Sequence, residues 1–309
     1  MNLFIYTSLD EPQRESLRQQ AGDSHTITFR NELTVDRQES ALRQADVLMG
    51  NPPADWLRDA PSLKFWQLDS AGFEQYRDLN LSIPVSNMGD FFAWPCAETI
   101  VAGIMALYRR IDELAVLQRQ RRWVGGPLRP TMKLLHRQNV VILGTGTIGQ
   151  AIHRILSGFE CRIHRMARRN PEAELHSVEE LMAVLPDTDL LVNTLPGTAD
   201  RFVTAAMLDR LKPGGVFANV GRGNTVDESA LIARLQSGHL GGAVLDVTET
   251  EPLPEQSPLW TLPNVMLTQH TAGGQQGEAE GKMAQFLRNL KRFETGQDLE
   301  NRQNLRQGY

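Results

Sequence analysis

From Asn139 onward the chain alternates short apolar runs with longer stretches of helical spacing. The runs are "VVIL", "CRIHRM", "LLVNTL", "VFANV", "GAVLDV" and "NVMLT". Most are apolar throughout, the pattern of strands buried on both faces of a sheet. Six strands separated by helices predict a doubly wound parallel sheet of the Rossmann type. One intervening helix can be delimited from its own residues. Asp227 stands where a cap is needed, Leu231, Ile232 and Leu235 share a face, and Gly238 supplies a left-handed stop.

The first ninety or so residues repeat this rhythm on a smaller scale, with strand candidates "NLFIY", "TITF", "DVLMG", "LKFWQL" and "IPVSN". They predict a second, smaller α/β domain, flavodoxin-like in build. Between the two, "FAWPCAETIVAGIMALYRRIDELAVLQRQ" reads as one long helical pattern, which the Gly and Pro of "VGGPLRP" then break. The periodic segment from Glu278 to Phe293 follows the sixth strand and has no strand after it, so it is expected to return to the first domain. The predicted organisation is a discontinuous domain of residues 1–92 plus 275–309 and a domain of residues 93–274, with a cleft that closes between them.

Composition narrows the chemistry. A length of 309 residues exceeds the usual single core, and 41% hydrophobic content can fill two. The net charge of -5 argues against a nucleic-acid or anionic-membrane surface, so any anion must be bound locally. Cys96 and Cys161 are far apart and form no C-x-x-C pair. They are expected to be buried small hydrophobes in a reducing, cytoplasmic setting. No metal-ligand cluster is visible. "MNLFIYTSLDEP" has no basic n-region, so no signal peptide is expected, and no run reaches the roughly 18 to 20 apolar residues of a membrane span.

In "VVILGTGTIGQAIHRIL", Gly144, Gly146 and Gly149 come directly after a strand and open a helix. There a G-x-G-x-x-G turn lets a pyrophosphate approach backbone N–H groups at the helix N-terminus, and Thr147 and Ile148 inside the turn are counted with the glycines. A ligand-free glycine turn is the alternative. About 20 residues on, where NAD enzymes carry an acid for the ribose 2′-hydroxyl, the chain has "HRMARR" and no carboxylate. Arginine forks would instead receive a 2′-phosphate, which points to NADP, with NAD the weaker alternative. Arg165 and Arg168 are the favoured contacts and Arg169 the next; a solvated run of arginines is the competing reading.

Three polar residues follow strands where such a sheet opens its crevice: Arg222 in "NVGRG", Glu251 in "LDVTETEPLP" and His270 in "LTQHTAGG". Each alone is explicable as an ordinary surface or half-buried residue. Together, behind a dinucleotide fold, they make a catalytic set.

These motifs bring the chain close to a known family. With "ILGTGTIG", "TLPGTAD", "ANVGRGNTVDESAL", "GAVLDVTETEPLPEQSPLW" and "LPNVMLTQHTAGG" in order, the chain resembles the D-isomer-specific 2-hydroxyacid dehydrogenases over nearly its whole length. Its basic second strand is similar to the glyoxylate/hydroxypyruvate reductase branch. The resemblance implies that Arg222 holds a 2-oxo acid, that His270 exchanges a proton with the C2 oxygen, and that Glu251 orients His270. Physical requirements agree, since hydride addition to a ketone builds an alkoxide needing a proton and positive charge, and a carboxylate beside histidine favours its protonated form.

By the same resemblance Ala71 and Gly72 in "LDSAGFEQY" offer backbone N–H groups to the substrate carboxylate, Asp246 meets the nicotinamide amide, and the chain forms a homodimer with "RQRRWVGGPLRP" as an arm. Leu195 and Pro196 of "TLPGTAD" join the cofactor contacts. Two departures stand out: Gln269 where the family usually has Pro, and no glycine ahead of "VVIL". A nucleotide-sensing binding protein on the same fold is the alternative function. A short-chain dehydrogenase would need a Y-x-x-x-K pair, which none of the tyrosines supplies.

Overall fold

Every apolar run singled out above becomes a strand, and one strand forms where no run announces it. The structure, a computed structural model, describes residues 1–307. The chain clusters into two units: Met1–Phe91 together with the segment from Gln275 onward, and Phe92–Gly274.

The unit of residues 92–274 is built on β6 (Asn139–Leu143), β7 (Arg162–Met166), β8 (Leu190–Asn193), β9 (Val216–Asn219), β10 (Gly242–Leu245) and β11 (Val265–Leu267). All pair in parallel, in the order β11-β10-β9-β8-β6-β7. Chain order reverses between β6 and β8, the switch point at which such sheets open a crevice beyond their C-terminal ends. Past β7 the chain makes one further parallel bridge, Met166 to Leu175.

Alternate residues explain why the runs read as continuously apolar. Val140, Ile142, Val192, Ala218 and Val244 pack with Ile100 and Ile104 of the helix Ala93–Arg109 and with Ile152 and Leu156 of the helix Thr147–Ser157. Val141, Leu143, Leu191, Phe217 and Leu245 join Leu208, Leu231 and Leu235 in a separate cluster. Each Val, Leu, Ile or Phe among them, fully buried, contributes about 1.5 to 3 kcal/mol. Asp227 caps the helix Glu228–Gln236 by accepting from the Ala230 N–H at 3.0 Å, and Gly238 beyond it has a φ of 75°.

Three local expectations are corrected. The long helical pattern is broken at Arg110, whose φ of 56° separates the helix Ala93–Arg109 from Ile111–Arg119. The left-handed residue donates its N–H back to Ala106 O and Leu107 O, closing the first helix as a glycine would. In "VGGPLRP", the breakers instead begin a short helix, Gly125–Leu128, with Pro127 in its first turn, where a missing N–H costs nothing. Cys96 is buried, but Cys161 is only half-buried because it adjoins the edge strand β7; its thiol donates to Leu135 O at 3.2 Å.

The other unit holds β1 (Asn2–Ile5), β2 (Thr26–Phe29), β3 (Val47–Met49), β4 (Phe65–Gln67), β5 (Val85–Ser86) and β12 (Arg302–Gln303). The parallel order 2-1-3-4-5 is flavodoxin-like, and β12 adds antiparallel to β5. Met283, Phe286 and Leu290 of the helix Glu278–Glu294 pack with Leu3, Ile5 and Phe65. Trp66 of β4 is fully buried, with its ring N–H on Gly50 O at 2.8 Å and its ring edge-on to Tyr76, 4.7 Å between centroids. The Tyr76 hydroxyl donates to Pro52 O at 2.7 Å, and burial pushes its pKa up to about 12. This pair anchors the segment after β4. Among the described residues no helix is long and apolar enough to cross a membrane.

Candidate active site

β6 leads directly into Gly144, whose φ of 104° suits glycine and whose added Cβ would lie 2.6 Å from Thr194 Oγ1. A Cβ on Gly149 would meet Gly144 O at 2.5 Å, so that glycine lets the helix pack against the turn. Gly146 caps the helix Thr147–Ser157 with no side-chain acceptor, and nothing lies within 4 Å of where its Cβ would be. Thr147 is exposed beside it, and Ile148 is half-buried against the core. The first-turn N–H groups, which have no intrahelical acceptor, stand at the positive end of the helix beside this open position, which fits a pyrophosphate. Across the switch point, Leu195 and Pro196 are half-buried, with the Leu195 N–H held by Asn193 Oδ1 at 3.2 Å.

The arginine cluster divides. Arg165, on β7, donates from Nε to Glu174 Oε2 at 3.3 Å and from Nη2 to Glu174 Oε1 at 2.9 Å and to Glu172 O. Its backbone N–H also donates to Glu174 Oε2 at 2.7 Å. Burial opposes the charge on Glu174, yet the bonds from Arg165 outweigh it and hold the carboxyl below its ordinary range. One of the two residues favoured for a 2′-phosphate is therefore already bound to a carboxylate. Arg168 and Arg169 are exposed and carry no hydrogen bond or ion pair among the described residues.

Arg222, Glu251 and His270 follow β9, β10 and β11, three neighbouring strands, at their C-terminal ends. His270 Nδ1 lies 2.6 Å from Glu251 Oε2, and Glu251 Oε1 accepts from the Thr248 N–H at 3.0 Å. Half-buried Arg222 donates from Nη1 to Gly221 O at 2.9 Å. A Cβ on Gly223 would lie 1.8 Å from Thr248 O, so this loop passes too close to the β10 loop for any other residue.

Sequence reading missed the polar groups beneath this set. β8 and β9 end in the paired, buried Asn193 and Asn219. Asn193 Nδ2 donates to Asn219 Oδ1 at 3.1 Å and to Thr225 Oγ1 at 2.6 Å. Asn219 Nδ2 and Thr225 Oγ1 in turn hold Arg222 O at 3.2 and 2.5 Å. Asparagine closing two otherwise apolar strands, "LLVN" and "VFAN", was the available signal.

Asp246 is buried and its Oδ1 accepts from Thr268 Oγ1 at 2.6 Å and from the Thr271 and Ala272 N–H groups at 3.0 Å. It therefore anchors the turn that carries His270, whose own N–H donates to Asp246 O at 2.6 Å. Gln269 and His270 in that turn have φ of 53° and 55°. Proline, fixed near -65°, cannot take the Gln269 conformation. Burial pushes the Cys96 thiol up to about 12, with Asp246 adding to the shift and Arg222 opposing it. A cavity of about 400 Å³ lies against the dyad, lined by Glu251 and His270 together with Leu245, Leu253, Trp260 and Leu267.

In the other unit, Ala71 and Gly72 are half-buried in the bend after β4. Their N–H groups donate to no acceptor among the described residues.

The glycine turn and the strand-end residues define a dinucleotide-dependent dehydrogenase class. Residues 101–272 match the model of the D-isomer specific 2-hydroxyacid dehydrogenase NAD-binding domain, and the chain belongs to that family. It is 30% identical to a glyoxylate/hydroxypyruvate reductase B from Serratia proteamaculans, over 97% of this chain and 96% of the relative. Among solved structures, a D-isomer specific 2-hydroxyacid dehydrogenase family protein from Aeromonas salmonicida is 28% identical with a TM-score of 0.85, covering 98% of this chain and 99% of that one. Another from Xanthobacter autotrophicus, in complex with NADPH and MES, is 27% identical with a TM-score of 0.82, covering 100% and 99%.

Proposed function

We propose that the chain reduces a small 2-oxo acid of the glyoxylate/hydroxypyruvate type to the D-2-hydroxy acid, with NADPH preferred to NADH. The observation that carries this reading is the His270–Glu251 pair, 2.6 Å apart at the crevice end of a dinucleotide-binding sheet. The names of the Serratia and Xanthobacter proteins support the substrate type and the cofactor respectively.

Gly144, Gly146, Thr147, Ile148 and Gly149 would hold the dinucleotide pyrophosphate, with Leu195 and Pro196 opposite. Arg168 and Arg169 would face a 2′-phosphate. The bound dinucleotide supplies the hydride. Glu251 occupies His270 Nδ1, which leaves Nε2 to give the C2 oxygen its proton and, in the reverse direction, to take it back. Arg222 binds the 2-oxo acid and offsets the charge that builds on that oxygen. Ala71 and Gly72 N–H groups bind its carboxylate. The balance is one hydride to C2 and one proton from His270 to the oxygen per 2-oxo acid reduced.

The same reading makes the protein a homodimer. Its support is the exposed apolar set Ile111, Val116 and Trp123, the last 99% exposed. A panel of small 2-oxo acids assayed with NADPH and with NADH tests the function. Turnover of glyoxylate or hydroxypyruvate with NADPH is expected, and no turnover of any 2-oxo acid overturns the reading.

A further inference from the structure

The bend after β4 is tied down in an unusual sense. Its carbonyls are all bonded: Ser70 O accepts from the Met88 N–H at 3.0 Å, Ala71 O from Asn87 Nδ2 at 2.6 Å, and Gly72 O from Ser70 Oγ at 2.6 Å. Ser70 Oγ accepts in turn from Asn51 Nδ2 at 2.8 Å, and Asn51 Oδ1 takes the Asp69 N–H at 3.2 Å. With the carbonyls directed inward to these donors, the bend leaves its N–H groups from Ser70 to Phe73, those of Ala71 and Gly72 at their centre, without an acceptor among the described residues. Two adjacent free N–H groups on a bend held this way form a preorganised anion cradle.

Asn87 is the hub of the restraint. It is buried, and its Oδ1 accepts from the Gly89 N–H at 3.0 Å and from Gln303 Nε2 at 3.1 Å. Its backbone carbonyl accepts from Gln67 Nε2 at 3.1 Å and Gln285 Nε2 at 2.6 Å. Asn289 Nδ2 closes the network on Gln67 Oε1 at 2.8 Å, and Gln67, Gln285 and Asn289 are all buried. β4 and the helix Glu278–Glu294 therefore hold the Asn87 backbone carbonyl, while the Gly89 N–H and β12 hold the side-chain amide whose Nδ2 bonds Ala71 O. Buried amides satisfied to this degree cannot rotate without leaving several groups unpaired, which is costly in a low-dielectric interior.

We propose that Asn87, with Ser70 as its relay on Gly72, is a positioning residue that aims the Ala71 and Gly72 N–H groups at the carboxylate of the 2-oxo acid. This rests on the proposed function only in the identity of the anion. The test uses oxamate, an unreactive isostere of a 2-oxo acid, titrated calorimetrically into the whole protein saturated with NADPH. The variants are Asn87→Ala and Ser70→Ala, both neutral, so no added charge repels the ligand.

Each variant is expected to weaken oxamate about tenfold, the scale of a slightly misplaced contact, while NADPH affinity in a separate titration changes less than about twofold. Ser70→Ala, which spares the Asn87 network, keeps the test alive if Asn87→Ala does not fold. Oxamate affinity unchanged in Ser70→Ala, equal losses for oxamate and NADPH, or a wild-type protein that binds no oxamate overturns the assignment. Oxamate binding that weakens as expected, in a protein that turns over no 2-oxo acid, supports the assignment and removes only the proposed reaction.

Discussion

Replacing Arg168 and Arg169 together by alanine should abolish a preference for NADPH, whereas replacing Arg165 alone should leave most of it. The asymmetry follows from what each side chain already holds. Arg165 spends three side-chain hydrogen bonds on Glu174 and Glu172 O, and to receive a phosphate it would have to release a carboxylate beside that phosphate. Arg168 and Arg169 have no bond to give up among the described residues. A charge-assisted hydrogen bond contributes roughly 1.5 to 3 kcal/mol when well formed. Both side chains are exposed, so solvent and salt reduce this to about 1 kcal/mol each. Two contacts give about 2 kcal/mol, or roughly thirtyfold, because about 1.4 kcal/mol is a factor of ten. The assay is kcat/KM for NADPH and for NADH at saturating glyoxylate, in low and high salt. The wild-type ratio should be near thirty and should shrink as salt rises; in the double variant it should fall toward one through the KM for NADPH, with NADH unaffected. Arg165→Ala should instead lower efficiency with both cofactors alike, through loss of the edge segment it clamps. An equal loss with both cofactors in the double variant, or an NADPH-specific loss in Arg165→Ala, would refute the reasoning.

His270→Ala and Arg222→Ala should each lower kcat by about a hundredfold or more, as loss of a positioned proton donor or charge stabiliser does; a smaller loss in steady-state assays removes that residue from the catalytic set. Gln269→Pro should lower both kcat and the melting temperature because its φ of 53° is closed to proline, while Gln269→Gly should keep both; full activity in the proline variant would show the left-handed turn to be dispensable. Glu174 has a folded pKa held below its ordinary value, so the stability it contributes is present above that ordinary value and is lost as pH falls through the depressed one. Glu174→Gln should therefore melt lower than wild type near neutral pH, and the gap should close in acid; a gap independent of pH would sever the link to Arg165. Light scattering should give a dimer mass, and Trp123→Ala should weaken the dimer; a wild-type monomer removes that proposal.

The fold was legible because parallel strands covered on both faces must be apolar at nearly every position. β6 and β8 to β10 announce themselves in this way, and the strand–turn–helix context then gives the glycine turn its meaning. β12 did not, since "RQ" has no apolar signature and forms a strand only because Asn301 O accepts the Asn87 N–H and aligns the chain against β5. Arg110 was equally silent. Its apolar neighbours keep helical spacing on both sides of the break, so periodicity could not report a single left-handed residue.

The site divides along a similar line. Strand ends in a doubly wound sheet are predictable places for chemistry, and Arg222, Glu251 and His270 stand there. What sequence could not show is which polar groups are already taken. Glu174 is nine positions beyond Arg165 and reaches it only because the chain folds back beside β7 to bridge Met166 with Leu175. Asp246 Oδ1 takes donors from beyond β11, and the Asn87 backbone carbonyl takes one from a helix some 198 residues away. In each case the motif's composition sets which polar groups are present, while a contact made by the folded chain decides which of their atoms are already bonded. An arginine cluster at the end of β7 is consequently an inventory of possible phosphate contacts, and the bonds that its members have already formed select among them.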